Sequence, residues 1–390
     1  MTGAPRAPVV VIGAGAVGVS VAAHLAANEV DVILCDRGHA AGKTTGKAAG
    51  LVFSQFHDPV DVRAMAYCLD YVDRLDREED DFTFHRTGYL RVGTEAERPT
   101  FEREVRIYRE CGVDARLVEP DEIDEIEPAL VTDDLTVGSY CPDDGHVDPH
   151  TFTTTMLRRA ERDGVDYRPN TTVTDIVLDG DAVVAVETER GTIDADHVVI
   201  AAGPWSKQVA RLAGVTLPLK PYRVQAMVTT EVDFDVIPVY DAAMGAYFRS
   251  EGSGVLVGDG TEEFESDPET YDERPDLSFL ETAGEVMERR LAAGDVGVVN
   301  GWAGLGSGTP DAFPLLGNPP VEPGANRQVD GLWVACGLQA HGVMRAPIAG
   351  TLVADAIVAG DDRVSIPEYD PNRFDDDPGD FPVRELMKLE

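Results

Sequence analysis

The chain has 390 residues, 43% of them hydrophobic, which is enough for two domains with sizeable cores. Its 71 acids face 33 Lys and Arg, only five of them lysine, for a formal net charge of −38 and a pI near 4.4. That balance excludes nucleic acid and anionic membrane as partners and predicts a protein of a salt-accumulating cytoplasm, where a Debye length of about 3 Å at 1 M screens self-repulsion. Five well-separated cysteines with no C-x-x-C pair argue against a metal site and against a disulfide framework.

Residues 9–37, VVVIGAGAVGVSVAAHLAANEVDVILCDR, read as strand, glycine turn, helix and strand, ending on an acid. Gly13, Gly15 and Gly18 supply G-x-G-x-x-G: the first for the tight turn, the second for backbone approach to a pyrophosphate, the third for helix–strand packing. Ala16 opens the helix, whose first N–H groups face the phosphates. Asp36, 36 − 13 = 23 residues after the first glycine, is placed to accept a ribose hydroxyl, with Arg37 beside it. This unit alone leaves NAD and FAD equally open. Residues 9–27 are nearly all apolar, but His24, the early glycines and the lack of flanking bases argue against a membrane span. MTGAPRAP runs straight into the first strand, so no signal peptide is expected and a cytoplasmic location is.

Apolar spacing predicts helices over 60–79 and 99–112. DGHVDPHTFTTTMLRRAERDGV from residue 144 reads as a loop, organised by His146 and Asp148, entering an amphipathic helix. A hairpin follows (174–178 and 182–187), then the buried strand 197–201, ending in the turn Ala202-Gly203-Pro204-Trp205. Between 215 and 299 alternation predicts strands at 223–229, 246–249 and 255–258 and helical turns at 277–291. This is a separate antiparallel layer suited to roof a pocket. Strand 332–336, a glycine turn at Gly337 and a helix over 341–359 complete the pattern. The fold class is α/β: a discontinuous Rossmann-like domain (1–55, 142–214, 300–365) plus an α+β substrate domain with an antiparallel sheet (56–141, 215–299), and a peripheral acidic tail (366–390).

Four segments, in order, resemble the flavin-dependent D-amino-acid oxidase superfamily, in its glycine oxidase, sarcosine oxidase and dimethylglycine or proline dehydrogenase branch. They are the opening fingerprint, KTTGKAAGL at 43–51, DHVVIAAGPWS at 196–206, and WAGL at 302–305 through TPD, PLLG, GLWVACG and HGVMRAP to Gly350. The resemblance implies that the nucleotide domain binds FAD, and it makes Val173 the backbone contact for adenine. Thr44, Thr45, Ala48, Ala49, Gly50 and Leu51 would line the flavin, with Ala202, Gly203 and Trp205 alongside. Gly337, His341 and the backbone N–H groups of Gly342, Val343 and Met344 would stabilise negative charge at the reduced ring.

Three departures sharpen the expectation. The family often grips a substrate carboxylate with an Arg where this chain has Gly306. A lysine that promotes oxygen reaction is replaced by Met344, and the cysteine that attaches flavin covalently is missing at Ser307-Gly308. Non-covalent FAD with weak oxygen reactivity follows. The reaction expected is oxidation of a C–N bond in an amino acid or a secondary or tertiary amine, sarcosine-, dimethylglycine- or proline-like. A hydride passes to flavin and an imine is left to hydrolyse, which requires orientation rather than a protein nucleophile. An oxygen-using glycine or D-amino-acid oxidase and an FAD-binding electron-relay subunit are the alternatives. The electron acceptor (a protein or a quinone) and the oligomeric state stay open. Candidates to hold the substrate are Arg249, Arg223 and Arg345, since a guanidinium clamps a carboxylate bidentately, with Tyr247 beside them. His341 is the candidate proton acceptor, and His57, just after the flavin-side loop, is placed to reach the pocket.

Overall fold

The computed structural model describes residues 7–258, 260–291, 293 and 296–383, and its centre is a six-stranded sheet. Val9–Ile12 lies in the middle, parallel to Val32–Cys35 on one side and His197–Ile200 on the other. Leu332–Cys336 and Asp166–Arg168 extend it in parallel, and Leu315–Gly317 closes one edge antiparallel. Strands covered on both faces need no polar alternation, which is why VVVI, VILC and LWVAC are wholly buried. Helices Ala16–Ala27 and Gly342–Ala359 pack against each other, and a Cβ at Gly350 would come within 2.7 Å of the Ser20 backbone. Small residues thus set how closely the two helices cross. The second of them is long and apolar enough to cross a membrane by composition, but 72% of it is buried inside the molecule.

The second layer is an eight-stranded sheet ordered Val298–Gly308, Lys220–Thr229, Gly254–Gly258, Ala246–Glu251, Val239–Asp241, Tyr89–Gly93, Val137–Cys141, Arg116–Val118. Helix Leu277–Arg290 covers one face, burying Phe279, Val286 and Met287 with Leu90, Val92, Phe248 and Val257. Tyr89 and Tyr240 of the same sheet are buried in the core that also holds Val19, Leu25, Met344 and Leu352 of the helices Ala16–Ala27 and Gly342–Ala359.

Four expectations need correction. Val298–Gly308 pairs with Lys220–Thr229 along its length, from Lys220 opposite Gly308 to Thr229 opposite Val298, so it belongs to the roof and not to the nucleotide domain. Segment 56–141 contributes three roof strands as well as helices Pro59–Glu78 and Arg98–Glu110. The turns around 277–291 form one 14-residue helix. The first part of the tail is not peripheral: Tyr369 is buried and donates to Asp61 Oδ1 at 2.6 Å, and Arg373 forks onto Asp311 at 2.7 and 2.8 Å, whereas residues 375–377, 379 and 380 are exposed and 384–390 lie outside the described residues. The hairpin also gains a third strand, Gly191–Asp194.

Candidate functional site

Three adjacent parallel strands bring their carboxyl ends to one line. Val9–Ile12 runs into Gly13, which has φ +109°; a Cβ there would stand 2.6 Å from the Ala201 carbonyl oxygen. A Cβ at Gly18 would collide with the Gly13 carbonyl, so both glycines are required by space. No side chain caps the helix at Gly15, though Ala16 N–H donates to Thr45 Oγ1 at 3.1 Å. The Asp36 carboxylate accepts from Ala14 N–H and Gly38 N–H, both at 2.7 Å, fixing its orientation at the edge of this cradle. Loop 170–172 docks beside it through Asn170 N–H to Gly38 O and Thr171 N–H to Asp36 O, both 2.7 Å, which brings Val173 alongside. Arg37 stacks over Trp205 at 4.6 Å, and Trp205 Nε1 is buried without a partner.

At the other end a cavity of about 130 Å³ lies between the flavin-side loop, the roof and the start of the last helix. Thr44, Ala48, Ala49, Gly50 and Leu51 line it from the loop, whereas Thr45 is turned to the first helix. Trp302 Nε1 donates to the Lys47 carbonyl at 2.9 Å, and Arg249 Nε and Nη2 donate to the Ala49 carbonyl at 3.0 and 2.7 Å, so the roof clamps the loop. Tyr222, Val224 and Ala226, at strand spacing, face the cavity together with Tyr89, Tyr240, Tyr247 and Trp302.

The last helix begins at Gly342 with no side-chain cap, after three left-handed residues: Gly337 (φ +74°), Gln339 (φ +53°) and Ala340 (φ +61°). Two of these are not glycine, and such strain is held only where surroundings enforce it. Here Gln339 N–H is bonded to the Ser307 carbonyl at 3.1 Å and its side chain to Thr309 at 3.0 Å. Val343 and Met344, in the uncapped first turn, line the cavity together with His341, and a helix start favours negative charge. His341 meets Phe53 and Phe56 edge-on, at 5.7 and 5.5 Å, and its Nδ1 is buried without a partner. Burial and the nearby Arg345 guanidinium push the imidazole down to about 3, so it is neutral at ordinary pH.

Of the three arginines proposed to clamp substrate, Arg223 and Arg249 have their donors committed elsewhere, while Arg345 is ion-paired to Asp61 with no hydrogen bond from its buried guanidinium nitrogens. Arg223 donates to Glu262, Asp276 and the carbonyls of Asp272 and Arg274. Arg249 is 4% exposed and divides its donors between Ala49, Ser250 and Glu251. Arg345 lies behind the site, 1% exposed, 3.0 Å from Asp61 and 4.5 Å over the Phe56 ring. His57 is turned to the buried Glu104, which also pairs with Arg91. His146 stacks on His85 at 4.8 Å, and burial, Arg249 and His85 push it down to about 3. Asp148 caps the helix Pro149–Arg162. Of the substrate candidates, Tyr247 and His341 line the cavity. Tyr222, Tyr240, Tyr89, Trp302 and Lys47 line it too and were missed; the alternation over 220–226 was the signal for Tyr222.

The two halves fit FAD: a glycine cradle that a Cβ would fill, an uncapped helix start at each end, and buried Trp205 Nε1 and His341 Nδ1 with no protein partner. Residues 8–356 match the FAD dependent oxidoreductase family known as DAO. The chain belongs to that family. It is 30% identical over 402 residues to rat (Rattus norvegicus) dimethylglycine dehydrogenase, covering 95% of this chain and 45% of that one. It is likewise 30% identical over 380 residues to the formaldehyde-forming 4-methylaminobutanoate oxidase of Paenarthrobacter nicotinovorans, covering 94% and 45%. The chain therefore spans less than half the length of these curated relatives. L-proline dehydrogenase from P. horikoshii superposes with a TM-score of 0.87 at 28% identity, covering 95% of this chain and 98% of that one. Glycine oxidase from Bacillus cereus ATCC 14579, at 23% identity and TM-score 0.77 over 91% and 96% of the two chains, shares the fold.

Proposed function

We propose that this DAO-family member oxidises the C–N bond of a secondary or tertiary amine, an N-methylated or cyclic amino acid among them, as a dehydrogenase with non-covalent FAD. The observation that carries this reading is the cavity itself: aromatic faces of Tyr89, Tyr222, Tyr240, Tyr247 and Trp302 above, and the neutral His341 at its edge. The chemistry FAD supplies when bound is acceptance of a hydride from the carbon next to nitrogen, leaving an iminium for water to hydrolyse. The aromatic roof suits an alkylated ammonium or amine, which cation–π contact holds without a hydrogen-bond donor. His341, expected to accept a proton, is held too weakly basic by burial and Arg345 to take one from an ammonium; it keeps the cavity edge uncharged, and the substrate reacts as the free amine. Gly342–Met344 N–H groups stabilise the negative charge that arrives with the electrons.

Relatives with dimethylglycine, 4-methylaminobutanoate and proline in their names support an alkylated or cyclic amine. Met344, in place of the family's oxygen-promoting lysine, supports a dehydrogenase. The test is an anaerobic screen of the yellow protein against sarcosine, N,N-dimethylglycine, 4-methylaminobutanoate, proline and glycine. Bleaching by an alkylated or cyclic amine, with an artificial dye reoxidising the flavin faster than air, is expected. Stoichiometric peroxide in air would select an oxidase instead, and no bleaching by any amine would leave an electron-relay subunit.

A further inference from the structure

Residues 261–276, TEEFESDPETYDERPD, hold eight acids and one arginine between the strand Gly254–Gly258 and the helix Leu277–Arg290. Backbone bonds tie the two ends to the roof. Glu262 N–H donates to Arg223 O at 3.0 Å and Ser266 N–H to Pro221 O at 2.8 Å, while Glu273 O accepts from Ala303 N–H at 2.8 Å. In between, Thr270 and Tyr271 N–H groups turn back onto the Asp267 carbonyl. This segment meets the nucleotide domain through side-chain ion pairs. Arg37 pairs with Glu269, Lys207 with Glu265, and Lys47 with Glu273, each at 2.8 Å; Lys47 also reaches Tyr271 OH at 3.0 Å.

Each basic partner sits on a different part of the FAD site. Arg37 follows the ribose acid Asp36 and stacks on Trp205; Lys207 stands two residues after Trp205; Lys47 belongs to the flavin-side loop and lines the cavity. Two of the five lysines in a chain of 71 acids are therefore used on this one segment. We propose that residues 261–276 are a strap laid along the cofactor channel, pinned by Arg37, Lys47 and Lys207, and that the pinned strap retains non-covalent FAD. The proposal rests on FAD binding and is independent of which amine is oxidised.

All three pairs are partly exposed, so each alone is weak, but they act on one short segment whose ends are already fixed. The Debye length falls from about 10 Å at 0.1 M to about 3 Å at 1 M, so salt loosens the pins. FAD release should therefore accelerate with salt. The experiment follows release of flavin fluorescence from the diluted holoenzyme at low and high NaCl. Glu265→Gln/Glu269→Gln/Glu273→Gln is expected to release FAD at least about tenfold faster than the parent at low salt, with the difference vanishing at high salt. A control, Glu281→Gln/Glu285→Gln/Glu288→Gln on the exposed side of helix Leu277–Arg290, removes the same charge and should release at the parent rate. Lys207→Glu should speed release, and adding Glu265→Lys should recover it. Equal rates for parent and strap variant at low salt would overturn the proposal. So would a control as fast as the strap variant, or a charge swap without recovery.

Discussion

A guanidinium can grip a substrate only when its donors are not already taken, and with 71 acids for 33 bases they are taken early. Arg249 illustrates the consequence: on the right strand and beside Tyr247, it spends two donors on the Ala49 carbonyl and the third nitrogen on Ser250 and Glu251. Its role is then to hold the flavin-side loop. Arg249→Met should lower stability by about 2 kcal/mol, the scale of a charged hydrogen bond lost in the interior. FAD binding should weaken several-fold, while KM for carboxylated substrates stays unchanged at saturating FAD; a KM raised tenfold would return Arg249 to substrate binding. Gly306 has an equally local explanation. It pairs with Tyr222, and a Cβ at Gly306 would stand 2.5 Å from that ring, so an arginine cannot occupy this position while Tyr222 roofs the cavity. His341 makes the third residue-level case. Its folded value near 3 lies below the unfolded value near 6.5, so the unfolded chain binds the proton first. Stability is lost as pH falls from about 6.5 towards 3, and His341→Gln should flatten part of that slope in thermal melts.

At the scale of elements, the short strand Leu51–Val52 leads into Ser54 and Gln55, which lock onto the roof through the buried Asp144. Its Oδ1 accepts from Ser54 N–H and Oγ, both at 3.0 Å, and Gln55 Nε2 donates to the Tyr89 carbonyl at 2.8 Å. Burial pushes the Asp144 carboxyl up to about 7, against the opposing hydrogen bonds from Ser54 and Gln55. An acid raised above its unfolded value near 3.9 keeps its proton only when folded, so its contribution is full below about pH 4 and falls as pH rises towards 7. Asp144→Asn should remove that decline, read as a melting temperature that no longer drops between pH 4 and 7 on this account. The elements legible in the sequence were those with a complete local pattern: the glycine turn, the 20-residue helix Pro59–Glu78, and the buried strands of the parallel sheet. Tyr89–Gly93, Val137–Cys141 and Val239–Asp241 were not legible, because each is short and takes its sheet partners from distant parts of the chain. Val298–Gly308 was read as nucleotide domain because its family-like residues stand next to that domain in sequence; its pairing with Lys220–Thr229 is a long-range choice. The same limit applied to the site. Fingerprint glycines could be located from spacing, whereas Lys47, Tyr89 and Trp302 meet only when roof and loop close on each other.

Across the whole molecule, charge acts in two opposed ways. If every Lys and Arg took one acid, 71 − 33 = 38 acids would still be unpaired, and most of the pairs formed among the described residues have at least one exposed partner. Such pairs contribute little, so net repulsion dominates at low ionic strength. Repulsion among charges spread over a whole surface acts over distances longer than a Debye length, and salt removes it first. The interior ion pairs, such as Arg290 with Asp241 and Arg345 with Asp61, are shielded from that screening because both partners are buried. Raising NaCl from about 0.05 to 1 M should therefore raise the melting temperature of the apoprotein by several degrees. A flat or falling melting temperature would mean that surface repulsion does not limit stability and would remove the physical basis for expecting adaptation to salt. Because the strap pins are exposed, the same increase should speed FAD release while the fold itself is strengthened. Opposite signs in the two measurements, on one protein and over one salt range, separate repulsion across the surface from attraction at the three pins.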